Sequence, residues 1–275
     1  MTDFRITQMG CIEWLWKCIE HGIRVDMLFA DPPFNIGVEY DQFSDRMTPD
    51  EYFQFSADWI RGAAQIIKPG GALLIHASPF VHHSFLIEAM QINGIDGWYE
   101  REIVWNFGFG QHTDANWPET HCRCIVLRRP GQPRKWHPDE VLVKSLRLKI
   151  GDRRVLKSKR KGWVVPGTVW GTANDGEFWG RVQGNDSERR PLHRNQLREL
   201  YLARIIRAYT APGELVCDPF VGSGTTPTVA VGLGRNFIGC EQSAAYCESA
   251  ISRVIAGPVR DVAAACGPTE GEADE

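Results

Sequence analysis

The stretch Asp218-Pro219-Phe220-Val221-Gly222-Ser223-Gly224-Thr225-Thr226 decides the fold class of this chain of 275 residues. It follows the apolar run Leu215–Cys217, which predicts a buried strand, and it precedes a helical pattern. A strand that passes through a glycine turn into a helix is typical of open α/β sheets, which bind ligands at the carboxyl ends of their strands. The N–H groups of such a turn favour a polar or anionic ligand that the main chain approaches closely.

A second loop, Asp31-Pro32-Pro33-Phe34-Asn35, also follows an apolar run, Val25–Ala30. Consecutive prolines fix their own φ angles and hold Asp31 extended, so its carboxylate and the Pro32 carbonyl converge on one point. Two such acceptors suit an exocyclic amine, because accepting both N–H hydrogens turns the nitrogen lone pair toward an electrophile. Phe34 offers a flat face on which a base removed from a duplex can stack.

The glycine loop is not a nucleotide-triphosphate P-loop, since no lysine lies between Asp218 and Thr228. A nucleoside site is favoured by Glu241, which lies at the end of the next predicted strand. A carboxylate in that position accepts hydrogen bonds from ribose hydroxyls. The alternative for Glu241 is an exposed acid at the start of a helix.

Taken in this order, the two loops resemble those of the β class of amino-methylating DNA methyltransferases. These are S-adenosylmethionine enzymes whose catalytic motif precedes the cofactor loop, with a target-recognition region between the two. The similarity covers most of residues 8–256 and includes Lys68-Pro69-Gly70-Gly71, Val169-Trp170 and His193-Arg194-Asn195-Gln196. It implies a Rossmann-like methyltransferase fold of class α/β. We therefore expect a mostly parallel central sheet with helices on both faces, plus an inserted target-recognition lobe.

The resemblance also implies roles for individual residues. The implied catalytic residues are Asp31, Pro32, Pro33 and Phe34. The implied S-adenosylmethionine-binding residues are Asp218, Phe220, Gly222, Ser223, Gly224, Thr225, Glu241 and His193. The implied activity is methylation of the N6 amine of a flipped adenine in double-stranded DNA, because relatives that act on the N4 amine of cytosine more often begin this motif with serine. Cytosine-N4 methylation is the first alternative.

Three positions depart from the family pattern. Members commonly carry Gly-Asp-Cys near the start, with the aspartate close to the cofactor adenine, where this chain has Met9-Gly10-Cys11. The run at His193 lacks both prolines of the family's His-Pro-x-Gln-x-Pro pattern, and Phe34 replaces a more usual tyrosine while preserving stacking. Two further functions therefore stay open: a DNA-binding homologue without turnover, and methylation of RNA or of a protein side-chain amide.

Basic residues are concentrated between the two loops. The net charge of the chain is −3, but residues 128–161 hold thirteen Lys and Arg against three Asp and Glu, a local charge of +10. Such a stripe is expected of a surface that contacts DNA phosphates, and a solvated basic loop is the alternative. The DNA-binding residues predicted from it are Arg134, Lys135, Lys157, Lys159, Arg160 and Lys161. The tryptophans expected either to pack in this lobe or to fill the gap left by a flipped base are Trp136, Trp163, Trp170 and Trp179.

The pattern of elements divides the chain into four parts. Residues 1–130 are predicted to form the catalytic half of the methyltransferase domain, 131–190 the target-recognition lobe outside the sheet, 191–257 the S-adenosylmethionine-binding half, and 258–275 a disordered tail. Thr48, Pro49 and Glu51 predict the start of a helix that runs to Lys68. Residues 141–150 alternate as a strand would.

The composition predicts a cytoplasmic protein without a membrane partner. No apolar run reaches the roughly eighteen residues of a membrane span, and the first residues lack the pattern of a signal peptide. The eight cysteines include no C-x-x-C pair, so we expect reduced thiols and no metal, even at Cys122 and Cys124. The sequence leaves open a homodimer and a restriction endonuclease partner.

Overall fold

A computed structural model describes residues 2–38, 41, 45–78, 82–108, 114–171, 179–193 and 195–264. The described strands are β1 (Phe4–Gln8), β2 (Val25–Ala30), β3 (Ile67–Ala77), β4 (Tyr99–Asn106), β5 (His121–Arg128), β6 (Val143–Lys144), β7 (Trp163–Val164), β8 (Val169–Trp170), β9 (Leu215–Asp218) and β10 (Asn236–Glu241). The described helices are α1 (Cys11–Glu20), α2 (Pro49–Ile66), α3 (His82–Ile92), α4 (Glu199–Tyr209), α5 (Thr225–Gly232) and α6 (Ala244–Ala256).

Eight of these strands form one sheet in the order β1-β10-β9-β2-β3-β5-β4-β8, while β6 and β7 pair with each other. β5 is antiparallel to both of its neighbours, β3 and β4. The other pairs of the sheet are parallel. The predicted Rossmann-like, mostly parallel sheet is therefore confirmed.

Helices cover both faces of the sheet because side chains of a strand point alternately to either face. On β2, Met27 and Phe29 pack in a core that includes residues of α4, α5 and α6. Leu28 and Ala30 pack on the other face, in a core that includes residues of α1, α2 and α3. None of the helices in the described part of the chain is long and apolar enough to cross a membrane.

Helix α2 begins where the sequence predicts and ends slightly earlier. The Thr48 hydroxyl accepts the N–H of Glu51 at 3.4 Å, and the Glu51 carboxylate accepts the N–H of Thr48 at 2.8 Å. These bonds satisfy N–H groups that lack a partner in the first turn. The chain then enters β3 directly at Ile67, so Pro69-Gly70-Gly71 lies within a strand. Gly70 is required there, because a Cβ atom at this position would lie 2.1 Å from the Pro133 carbonyl oxygen.

Part of the predicted lobe belongs to the sheet, which corrects the expectation that residues 131–190 lie outside it. β8 pairs in parallel with β4 at the edge of the sheet. Trp170 and Trp179 are buried in the same core as β2, because large apolar rings gain most from burial. The strand predicted over residues 141–150 is limited to β6, since a short 3-10 helix follows at Leu146–Leu148.

The prediction of a disordered tail from residue 258 is wrong for residues 258–264. Val262 is 3% exposed, and the N–H groups of Val259 and Arg260 each donate to the Glu199 carboxylate at 2.8 Å. Residues 258–264 are therefore packed against α4, because a buried carboxylate needs donors and these two N–H groups supply them. Residues 265–275 lie outside the described residues.

Candidate active site

The two loops singled out in the sequence leave the sheet side by side. β2 and β9 are adjacent and parallel, with Leu28 opposite Cys217. From β2 the chain continues to β3 on one side, and from β9 it continues to β10 on the other. Open α/β sheets bind ligands at such a reversal of strand order. Both loops line one cleft of about 390 Å³, a volume within the usual range of ligand pockets.

The first loop presents its acceptors to this cleft. Tyr52 of α2 donates its hydroxyl to the Pro33 carbonyl at 2.9 Å. Among the residues that the structure describes, none donates a hydrogen bond to the Pro32 carbonyl or to the Asp31 carboxylate. Tyr52 therefore fixes the second proline while the two predicted acceptors keep their hydrogen-bonding capacity.

A buried aspartate, Asp45, holds the residues that follow Phe34. Its carboxylate is 1% exposed and accepts the N–H groups of Asn35 at 2.6 Å, Ile36 at 3.0 Å and Val38 at 3.3 Å. Asn35 has φ of +54°, and its amide both donates to and accepts from the main chain of Met47. Sequence reasoning missed Asp45, because the acid lies ten residues from the turn that it stabilises and belongs to no motif.

Phe34 lies next to His76, a second residue that the sequence did not single out. The ring centroids are 6.1 Å apart with an interplanar angle of 31°. His76 is 1% exposed, and its Nδ1 lies 3.1 Å from the Tyr201 hydroxyl. Burial, reinforced by the nearby Arg181, lowers the pKa of His76 to about 3, so its imidazole is neutral at physiological pH. The available signal was a polar residue inside a buried apolar strand.

Four acids line the cleft, and the pKa values of Asp31, Asp218 and Glu241 are raised. Burial raises the pKa of Asp31 well above its usual range, and the negative charge of Asp218 raises it further. Burial raises the pKa of Asp218 to about 7, despite hydrogen bonds from Thr226 and from the Phe220 N–H, and Glu241 adds to this increase. Burial also raises the pKa of Glu241. Clustered carboxylates in a low-dielectric cleft favour a ligand with positive charge.

The glycines of the second loop allow close packing around it. Gly222 has φ of +49°, and a Cβ atom there would lie 2.8 Å from Nε2 of His193. Gly224 has φ of +79°, and a Cβ atom there would lie 2.9 Å from Ala250 of α6. Both positions therefore exclude larger residues, and His193 lies against the loop at Gly222. Burial lowers the pKa of His193 to about 4, so it too is neutral.

Glu241 ties this loop to the end of β10. Its Oε2 accepts the Gly222 N–H at 2.8 Å, and its Oε1 accepts the Ser243 N–H at 2.9 Å. A carboxylate oxygen can accept more than one hydrogen bond, so Glu241 can still accept hydrogen bonds from ribose hydroxyls. The alternative of a freely exposed acid is wrong, because Glu241 is only partly exposed and bonded on both oxygens.

Phe220 completes the second loop by packing edge-on against Trp59 of α2, with ring centroids 5.4 Å apart. At the start of the chain, Met9 and Cys11 also line the cleft. Gly10 has φ of −67°, and a Cβ atom at this position would meet nothing within 4 Å. The position where family members carry aspartate is therefore open space next to the cleft.

The DNA methylase family matches this chain over residues 25–252, which contain both loops and all strands of the sheet except β1. The chain belongs to the N6/N4 DNA methylase family. Its predicted activity, that of a DNA methyltransferase using S-adenosylmethionine, is thereby confirmed.

Relatives of this N6/N4 methylase have similar length. This chain is 28% identical over 242 residues to DNA adenine methyltransferase YhdJ of Escherichia coli (strain K12), and the match covers 84% of this chain and 76% of that protein. It is 28% identical over 258 residues to Type II methyltransferase M1.MboII of Moraxella bovis, covering 90% and 94%.

Solved structures share the fold of this methylase. The crystal structure of the M1.HpyAVI-SAM complex superposes with a TM-score of 0.59 at 20% identity, covering 91% of this chain and 98% of that chain. The cytosine-N4-specific PvuII DNA methyltransferase gives a TM-score of 0.65 at 14% identity, covering 92% and 86%.

Two of the predicted DNA-binding residues lie away from the cleft of the methylase. Arg134 is paired with Glu100, and Lys135 with Glu214 and, at 3.4 Å, with Asp26. Their acidic partners lie at or before the amino ends of β4, β9 and β2, the edge of the sheet opposite the cleft. The prediction for Arg134 and Lys135 is therefore not supported, because carboxylates already neutralise both cations.

The remaining predicted DNA contacts lie beside β6 and β7. Lys157, Lys159 and Lys161 are exposed. Arg160 is partly buried and is paired with Asp139 at 2.9 Å. The lysines form the part of the basic stripe that we retain, and we call Lys157, Lys159 and Lys161 the lysine cluster.

The four tryptophans named in the sequence are engaged in packing. Trp170 and Trp179 are buried, and the guanidinium of Arg204 lies 5.1 and 4.2 Å from their ring centroids. Trp136 packs on Tyr209, and the ammonium of Lys144 lies over Trp163. Packing, for Trp136, Trp170 and Trp179 against the main core, is therefore the role that the contacts of these tryptophans support.

Substitution of Asp31 with alanine removes one acceptor and leaves the glycine loop intact. We expect the turnover number to fall by roughly a hundredfold or more, about 3 kcal/mol of transition-state stabilisation, with little change in S-adenosylmethionine affinity. Single-turnover methylation and calorimetric cofactor binding measure the two quantities. Asp96→Ala, at an exposed position, is the control, and near wild-type turnover of Asp31→Ala would remove Asp31 from the mechanism.

The acid limb of the pH profile reports on Asp31. An ionised Asp31 is needed to accept the amine hydrogens, so activity falls as pH decreases through its raised pKa. Asp218→Asn removes a neighbouring negative charge, lowers the pKa of Asp31 and moves the acid limb to lower pH. Single-turnover rates at saturating cofactor, between about pH 5 and pH 9, measure the midpoint independently of the absolute rate. An unchanged midpoint, equal to that of Asp96→Asn, contradicts this coupling.

Proposed function

We propose that this methylase transfers a methyl group to the N6 amine of an adenine flipped out of double-stranded DNA. The observation that carries the proposal is the carboxylate of Asp31, which faces the same cleft as the glycine loop and binds no described donor. An aspartate rather than a serine at this position favours adenine. The name of YhdJ, a DNA adenine methyltransferase, supports the same choice.

The residues of the cleft fit S-adenosylmethionine. This cofactor is a nucleoside that carries a positive sulfonium and an amino-acid group, and it supplies an electrophilic methyl. The carboxylates of Asp31, Asp218 and Glu241 favour its positive charge, and Glu241 accepts hydrogen bonds from a ribose. The residues that would hold the cofactor are those predicted from the sequence: Asp218, Phe220, Gly222, Ser223, Gly224, Thr225, Glu241 and His193.

The first loop orients the amine. The Asp31 carboxylate and the Pro32 carbonyl accept its two N–H hydrogens, which turns the nitrogen lone pair away from them. The negative charge of Asp31 stabilises the positive charge that develops on nitrogen. Because burial raises the pKa of Asp31, its carboxylate is also a suitable acceptor for the proton that the methylated amine releases.

Stacking keeps the base in place. Phe34 provides one aromatic face, and the neutral ring of His76 lies next to it and also lines the cleft. A protonated His76 would place a positive charge next to a developing cation, so its depressed pKa suits the reaction. Asp45 and Tyr52 hold the main chain of the loop, which keeps the two acceptors at a constant separation.

Analysis of the methylated nucleoside tests this proposal. Duplex DNA incubated with labelled S-adenosylmethionine should yield N6-methyladenine, and Asp31→Ala should yield none above background. N4-methylcytosine as the only product would transfer the proposal to cytosine. Label in RNA or protein but not in DNA would support methylation of RNA or of a side-chain amide, and DNA binding without label transfer would support a homologue without turnover. Sequencing the methylated bases in cells that express the chain identifies the recognition sequence at the same time.

The lysine cluster is proposed to contact DNA phosphates. Removing three charges by Lys157→Gln, Lys159→Gln and Lys161→Gln should weaken binding to all duplexes alike, and should reduce the salt dependence by about one unit of logarithmic slope per phosphate contact. Fluorescence anisotropy at several salt concentrations measures both effects. The matched control is Lys17→Gln, Arg24→Gln and Arg61→Gln, which removes the same charge elsewhere. An equal slope in both triple variants contradicts the assignment.

A homodimer and a restriction endonuclease partner stay predictions.

A further inference from the structure

A buried arginine binds the glycine loop from the side of the core. Arg253 of α6 is 3% exposed. Its Nη1 donates to the Thr225 hydroxyl at 2.7 Å and to the Ser223 carbonyl at 3.1 Å, and it lies 3.4 Å from the Ser223 hydroxyl. Its Nη2 donates to Oε1 of Glu199 at 2.9 Å. One guanidinium therefore joins the loop that lines the cleft to the first residue of α4.

Both carboxylate oxygens of Glu199 accept hydrogen bonds. The residue is 0% exposed, and its Oε2 accepts the N–H groups of Val259 and Arg260. Its own N–H donates to Oε2 of Glu188 at 2.9 Å. Oε1 of Glu188 accepts from Arg198 at 3.1 Å and from Arg260 at 2.8 Å. The carboxylate that positions Arg253 is thus fixed by the segment after α6 and by Glu188, near the end of the inserted lobe.

Burial of this ion pair is not explained by stability alone. Removing two charges from water is costly, and apolar side chains of similar volume often stabilise a core as well or better. An apolar residue at position 253, however, has no donor for the Ser223 carbonyl and the Thr225 hydroxyl. The planar guanidinium reaches both and Glu199 together, which the single ammonium of a lysine does less well. The geometry therefore points to a role in holding the loop.

We propose that Arg253 is a positioning residue for S-adenosylmethionine, which acts by holding Ser223 and Thr225. The proposal rests on the assignment of the glycine loop to the cofactor. Arg253 is not among the residues that line the cleft, so it reaches the cofactor only through the loop. A loop ordered before binding needs less ordering when the cofactor enters, so Arg253 should contribute to cofactor affinity.

Arg253→Met and Arg260→Met are the variants that separate positioning from stability. Both remove a cation of the same network, but Arg260 contacts Glu188 and not the loop. For Arg253→Met we expect the Kd and KM for S-adenosylmethionine to rise about tenfold or more, as loss of hydrogen bonds to a charged group predicts, with kcat at saturating cofactor largely retained. For Arg260→Met we expect a lower melting temperature and an unchanged Kd. Arg253→Lys should restore part of the affinity.

Calorimetric binding of S-adenosylmethionine without DNA, together with thermal melting, distinguishes a positioning role of Arg253 from a role in stability alone. A wild-type Kd in folded Arg253→Met would show that Arg253 only supports the fold and would overturn the proposal. If Arg253→Met does not fold, Arg253→Lys decides, since a raised Kd supports the proposal and a wild-type Kd overturns it. Failure of the wild-type chain to bind S-adenosylmethionine would instead refute the cofactor assignment, and methylation of a different base would leave the role of Arg253 intact.

Discussion

The parallel pairing of β2 with β9 is the constraint on which the rest of the site depends. The chain continues to opposite sides after these two strands, so a gap opens above their carboxyl ends. Asp31 follows β2, Asp218 is the last residue of β9, and both line that gap. Residues far apart in the chain therefore become neighbours because of a single pair of adjacent strands, and the helices on both faces serve to keep this pair buried.

The cleft brings the carboxyl groups of Asp31, Asp218 and Glu241 close together. Burial raises the pKa values of Asp31, Asp218 and Glu241 together, which means that the folded protein tolerates these groups as carboxylates only at a cost in stability. For a carboxyl group whose folded pKa is raised, that cost is fully present above the folded pKa, decreases as pH falls below it, and is gone below the unfolded pKa. A bound cation reduces the same cost, so an enzyme that holds a sulfonium gains stability from its own substrate.

The sequence was most informative where chemistry and local geometry coincide. The prolines at 32 and 33, the glycines at 222 and 224, and the cap at Thr48 each act within a few residues, so their structures followed from the local pattern. The alternation of strands and helices predicted a mostly parallel α/β sheet but not the order of its strands. The residues that support the site, Asp45, His76 and Arg253, could not be predicted, because their partners are distant in the chain. The pairing of the basic stripe could not be predicted for the same reason: its charge was visible, but the partners of Arg134 and Lys135 are Glu100 and Glu214, which are distant in the chain.

The pairing of β8 with β4 bears on how such enzymes acquire new specificity. Because Trp170 is part of the main core and its strand extends the sheet, the whole of residues 131–190 is not an independent cassette. Recombination at those boundaries would have to rebuild an edge strand and a buried aromatic cluster in a foreign scaffold. The small pair β6 and β7, with the turns between them, makes few such demands. Over evolutionary time, exchange of segments of the lobe between lineages should therefore leave crossover points close to residues 143 and 164, and should spare the strand that follows.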